Sequence, residues 1–132
     1  MTQRSIKEIA LSWLESSKNA QESAKVLFEN KKYSVCAFLC EQAIELGLKG
    51  LWVFKEGTTP PKTHDLPSLG GKLHIPEKFG PSLIELYSVY ILSRYPDASG
   101  SPAVKFDHKK VETILNSTKE VLEWIRDQFP SH

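Results

Sequence analysis

Tyr33 to Phe54 reads YSVCAFLCEQAIELGLKGLWVF, and the fold is decided by how this stretch is read. Val35, Cys36, Phe38, Leu39, Ala43, Ile44, Leu46, Leu48, Leu51, Trp52 and Phe54 cover most sides of a helix, which belongs at the centre of a bundle. Its polar exceptions, Glu41, Gln42, Glu45 and Lys49, form one narrow stripe, and Glu45 and Lys49 have the i,i+4 spacing of an ion pair. Gly47 and Gly50 lower helix propensity, and close approach of a neighbouring helix would account for both.

Upstream, Ile6, Ile9, Ala10, Trp13, Leu14, Ala20, Ala24, Leu27 and Phe28 recur at helical spacing, which predicts a long amphipathic helix from Ser5 to about Asn30. Ser5 and Glu8 have the form of a capping box. The short break Asn30-Lys31-Lys32 joins antiparallel neighbours. Downstream, Gly57 to about Gly80 is irregular, with Pro60, Pro61, Pro67, Pro76 and Gly70-Gly71, and a short helix capped by Asp65 with Pro67 in its first turn fits its middle. A third long helix runs from about Pro81 to Arg94 with Leu83, Ile84, Tyr87, Tyr90 and Ile91 on one face, which Arg94 continues. Plain core packing is the simplest role for Tyr87. Pro96 ends this helix at Tyr95, and Asp97 to Phe106 has the composition of a loop. Asp107 then caps a last helix to about Gln128, whose face is Val111, Ile114, Leu115, Val121, Leu122 and Ile125. No stretch alternates with period two. The expected architecture is all-α: a single domain over residues 1–132, an antiparallel up-down four-helix bundle with one additional short helix.

Composition excludes several classes. The 132 residues carry 17 Lys and Arg against 16 Asp and Glu, a net charge of +1, so any contact with nucleic acid must rest on a local site. Cys36 and Cys40 have no further cysteine to pair with, and their spacing on a helix suits small core residues in a reducing compartment better than a disulfide. No apolar run approaches the roughly 20 residues that span a bilayer, and Arg4, Lys7 and Glu8 interrupt any signal-like start, so a cytoplasmic, membrane-free protein is expected. His64, His74, His108 and His132 are scattered and no Cys-x2-Cys pair exists, which points to no metal and no cofactor. Glycine-rich phosphate loops and the Gly-x-Ser-x-Gly elbow are absent.

Two segments at helix ends remain: Lys62-Thr63-His64-Asp65-Leu66, and Tyr90 with Ser93-Arg94-Tyr95-Pro96-Asp97. Read plainly, Thr63, His64 and Asp65 cap a helix, and Arg94 answers a helix dipole. Read as a site, Lys62 and Arg94 contact phosphate, Tyr90 or Tyr95 stacks on a base, and His64 and Asp65 orient polar groups. The candidate ligand-binding residues are thus Lys62, Thr63, His64, Asp65, Tyr90, Arg94, Tyr95 and Asp97.

With these motifs and residues 40–51, CEQAIELGLKGL, the chain resembles the HEPN domain, named for higher eukaryotes and prokaryotes nucleotide-binding, from Trp13 to the last helix. The resemblance implies a compact helical bundle, commonly a homodimer, with a connection to nucleotides or RNA. Many prokaryotic members act with a minimal nucleotidyltransferase in a two-component toxin-antitoxin system. Ribonuclease members share an Arg-x4-6-His motif, from which this chain departs: after Arg94 the next histidine is His108, fourteen residues on. His64 can replace it only if the connector folds back against the end of the third long helix. The first expectation is therefore a nucleotide or RNA binding module without catalysis, working with a nucleotidyltransferase. The alternatives are a metal-independent endoribonuclease using Arg94 and His64, and a structural homodimer without ligand. A homodimer is also expected because the second helix looks too apolar for a minimal bundle to shield, and Trp124 lies off the main core stripe.

Overall fold

A computed structural model of the chain describes residues 5–94 and 106–130. Five α-helices follow one another: α1 (Ile6–Glu29), α2 (Tyr33–Glu56), α3 (Leu66–Lys72), α4 (Gly80–Arg94) and α5 (His108–Asp127), with a 3-10 turn at Glu77–Phe79. There is no strand among the described residues, and no helix among them is long and apolar enough to cross a membrane.

The helix starts follow from local chemistry. The Ser5 hydroxyl accepts the Glu8 N–H at 3.1 Å, Asp65 Oδ1 accepts that of Ser68 at 3.0 Å, and Asp107 Oδ1 accepts that of Lys110 at 2.8 Å. Each satisfies a donor that the first turn leaves without an intrahelical partner. The α1–α2 turn places Lys31 at φ 59, and α2 stops on Gly57 at φ 69, whose N–H bonds Val53 O at 2.9 Å.

Helix direction can be read from the contacts. Ser17 donates its hydroxyl to Ala43 O at 2.7 Å, and Gly47 faces Ser17 while Gly50 faces Ala10 and Trp13. Rising α2 numbers meet falling α1 numbers, so the two are antiparallel. Tyr33 against His108 and Phe54 against Phe129, both in ring contact, run the same way along α2 and α5. Those two helices are therefore parallel, as alternation through an intervening α4 requires. Ala43, Ile44, Leu48 and Leu51 on α2 are fully buried, together with Ile114, Leu122 and Ile125 on α5. Sealing each of these leucine and isoleucine side chains from water contributes about 1.5–3 kcal/mol.

One expectation is corrected. On α4 the core face is Leu83, Leu86 and Val89, whereas Ile84 is 59% exposed and Tyr87 sits half-buried at the margin. Apolar residues occupy most of α4's circumference, so periodicity selects no face. The partner does: Leu83 fills the space a side chain at Gly70 would need, 2.6 Å from its absent Cβ. Of the apolar surface that motivates the dimer, Trp124 packs half-buried against the core, Phe38, Leu39, Trp52 and Phe54 on α2 are half-buried, and Val35 is exposed.

The glycines of α2 have the packing role their cost implies. A Cβ at Gly50 would stand 2.9 Å from Trp13 Cβ and 3.2 Å from Ala10 O, next to backbone that cannot step aside. Gly50→Ala should lower stability by about 1–3 kcal/mol despite its gain in helix propensity. Gly71, with nothing within 4 Å of its Cβ position, should gain up to about 1 kcal/mol on the same change. Urea midpoints of the two variants and the parent check both signs.

Candidate functional site

The polar stripe of α2 is the foundation of the site. Glu41, Glu45 and Lys49 recur once per turn and are all buried, at 0%, 6% and 9% exposure. Lys49 Nζ donates to Glu45 Oε2 at 3.1 Å. The other oxygen of Glu45, Oε1, lies 2.7 Å from His64 Nδ1. A carboxylate there makes Nδ1 the hydrogen-bearing nitrogen, so in the neutral ring Nε2 presents its lone pair. Glu45 thus has a donor on each oxygen, which a buried carboxylate requires.

The connector brings His64 to this point by short-range bonds. Thr63 N–H donates to Pro61 O at 3.0 Å, and Thr63 Oγ1 accepts the N–H of Asp65 at 3.1 Å. Buried Pro60 and Leu66 pin the two sides of the turn. His64 remains 43% exposed at its side chain. One face of its ring stacks on Tyr90 of α4, with centroids 4.4 Å apart and planes at 20°. Tyr87 lies almost parallel to Tyr90, 6.3 Å away at 10°. Arg94 is the last residue of α4, four positions after Tyr90 and so about 6 Å further along the helix axis.

Of the residues singled out from the sequence, His64 and Tyr90 are in contact, and Arg94 follows about one turn later on the helix that carries Tyr90. Thr63 and Asp65 are engaged in the turn and the α3 cap, as the plainer reading had them, and Lys62 is exposed beside them. Tyr95 and Asp97 lie outside the described residues. His108 belongs to another cluster, with its ring 4.9 Å from Phe28 and 5.8 Å from Tyr33. Tyr33 is twelve residues before Glu45 on α2, about 18 Å along the axis. Among the described residues no group of three or more His, Cys, Asp or Glu side chains is placed to hold a metal ion.

Sequence reasoning gave Glu45 only its i,i+4 pairing with Lys49, missing that it holds His64, and gave no role in the site to Glu41 below it. The signal was a polar stripe on an otherwise apolar helix; its link to a histidine nineteen residues away exists only in the fold. Glu41 Oε1 accepts from Gln42 Nε2 at 2.8 Å, while Oε2 is buried without a hydrogen-bond partner. Burial, reinforced by the neighbouring Glu45 carboxylate, pushes its carboxyl up to about 8. Glu41 is therefore held as a neutral acid at pH 7.

The folded chain keeps that proton until about pH 8, whereas an ordinary carboxyl releases it near 4.5. The stability gained by holding Glu41 neutral is complete below about 4.5 and is lost as pH rises through 8. Glu41→Gln, neutral at every pH, should flatten the decline in unfolding free energy between pH 6 and 9, a slope of up to about 1.4 kcal/mol per pH unit. Urea titrations at three pH values across this range read the difference between variant and parent.

Three comparisons bear on the chain as a whole. None of the curated proteins matches the sequence. The crystal structure of TT1696 from Thermus thermophilus superposes with a TM-score of 0.80 at 25% identity, covering 91% of this chain and 98% of that one. ST0689, described as an archaeal HEPN homologue, superposes with a TM-score of 0.76 at 22% identity, covering 96% and 98%. The family model described as HEPN domain matches residues 10–128. The matched span runs from α1 to the end of α5 and includes every residue of the Glu45–His64–Tyr90 arrangement: the chain belongs to the HEPN domain family.

Proposed function

We propose that this chain is a nucleotide or RNA binding module whose ligand sits at the pole formed by His64, Tyr87, Tyr90 and the end of α4. One observation carries the reading: the imidazole of His64, gripped by Glu45, is stacked on Tyr90 about one helical turn before Arg94. Parallel rings at a helix end offer a π-face to a base, worth about 1–3 kcal/mol per base stacked. Arg94 and Lys62 supply the cations a phosphate needs. Tyr95, next after Arg94, is a second stacking residue, and Asp97 adds an acceptor for sugar or base. Thr63 and Asp65 contribute by shaping the turn that presents His64.

A metal-independent endoribonuclease is the second reading, favoured by the Nδ1 bond to Glu45 that leaves Nε2 as a proton acceptor. In that chemistry Nε2 takes the 2′-hydroxyl proton as the 2′-oxygen attacks phosphorus, the P–O5′ bond breaks to leave a 2′,3′-cyclic phosphate, the departing 5′-oxygen takes a proton from water, and Arg94 stabilises the charge on the phosphoryl oxygens. The spacing from Arg94 to His108 is too long for the ribonuclease motif, which ranks binding first. Homodimerisation and association with a minimal nucleotidyltransferase, in a toxin-antitoxin arrangement, complete the proposal. Light scattering and co-purification with a nucleotidyltransferase encoded beside it test those two points.

Titration of ATP, GTP and a short single-stranded RNA, followed by incubation with labelled RNA, tests the site. We expect binding that Tyr90→Ala and Arg94→Ala each weaken tenfold or more, with the RNA left intact. Binding indifferent to both substitutions removes the pole from the reading. RNA cut by the parent and spared by His64→Ala makes the ribonuclease the correct reading, and no binding at all leaves a structural role.

A further inference from the structure

Away from the pole, α1 and α5 enclose two adjoining cavities of about 380 and 350 Å³ that share Lys18 and Arg126 in their walls. Lys18 and Arg126 stand where the two adjoin along the α1–α5 seam, a trough that no residue of α2, α3 or α4 lines. Lys18 and Lys25 stand on the α1 wall, Lys119 and Arg126 on the α5 wall. On each wall the two cations are seven residues apart, two helical turns or about 10.5 Å. Because α1 and α5 are antiparallel, Lys18 faces the Arg126 end and Lys25 the Lys119 end.

Two carboxylates, Glu15 and Glu22, also line the trough, against these four cations. The excess exceeds the net charge of the entire chain, +1. Both acids are spaced to pair with lysines along α1, yet among the described residues none of the three lysines lies within 4 Å of a carboxylate oxygen. Arg126 Nη2 donates to Gln21 Oε1 at 2.6 Å, which fixes the guanidinium between the helices and leaves its other N–H groups to a ligand. Gln21 and Asn116 add neutral donors and acceptors.

We propose that this trough is an anion track for the phosphodiester backbone of single-stranded RNA. Cations separated by two helical turns are too far apart for one phosphate group to touch both, so the trough suits an extended polyanion and discriminates against a mononucleotide. Lysines without a carboxylate partner exchange counterions for phosphates, which makes such binding steeply salt-dependent. This inference rests on the nucleotide or RNA reading of the chain but on none of its pole residues.

The test uses the full chain, a fluorescein-labelled 12-nucleotide single-stranded RNA, ATP, and poly-glutamate as a protein-like polyanion. Lys18→Glu with Lys119→Glu, both at exposed positions, should weaken the RNA tenfold or more and leave ATP unchanged. The slope of log K against log salt should fall by about 1.4, because two phosphates of a single strand are no longer neutralised. The neutral pair Lys18→Gln with Lys119→Gln should show a smaller loss in the same direction, and thermal melts confirm that both variants are folded. RNA affinity unchanged in both variants overturns the track while an ATP response to Arg94→Ala keeps the pole. RNA affinity sensitive to the lysines and indifferent to Arg94→Ala keeps the track and removes the pole. Poly-glutamate bound as tightly as RNA, or no RNA binding by the parent, overturns the track.

Discussion

A carboxylate buried in the middle of α2 governs how the connector and the aromatic end of α4 meet that helix. Glu45 is almost wholly enclosed, and an enclosed ionised carboxylate without partners costs several kcal/mol. Lys49 answers one oxygen from the same helix. The other oxygen requires a donor from elsewhere in the chain, and His64 is the residue that supplies it. The connector is thereby drawn onto α2, and the ring that arrives gives Tyr90 a surface on which to lie. The position of α4's final turn, where the chain reaches Arg94, follows from an electrostatic requirement raised two helices earlier.

The same stripe shows how charge is managed in a helix that must be buried on nearly every side. Glu41 avoids ionisation by retaining its proton, whereas Glu45 remains hydrogen-bonded on both oxygens. Two chemically identical side chains one turn apart thus have different roles because only one of them is within reach of Lys49 and His64. Apart from Glu41 Oε2, the polar stripe of α2 finds its partners within the chain. The cations of α1 and α5 that line the trough face solvent without carboxylate partners, and a near-zero net charge conceals this division.

Much of the fold was legible in residues that act locally. Ser5, Asp65 and Asp107 announced three helix starts by their capping chemistry, and Gly47 and Gly50 announced the close approach of α1. The face of α4 was not legible, because Leu83, Ile84, Leu86, Tyr87, Val89, Tyr90 and Ile91 surround the helix and the notch at Gly70 makes the choice. For the site, the lone segment around His64 and the aromatic end of α4 could be marked, but their contact could not. Glu45 was visible as half of an i,i+4 pair; its second partner is a long-range relation that spacing does not encode.

Cys36 and Cys40 are fully enclosed at the axis of the bundle, and the hydrogen bond that the Cys40 thiol donates to Cys36, with burial, holds Cys40 protonated well above its ordinary range. Neither sulfur meets a reagent while the helices around α2 stay closed. The pair therefore makes a natural clock for breathing motions of the bundle: alkylation proceeds only as fast as its centre opens, and a ligand that tightens the assembly slows it.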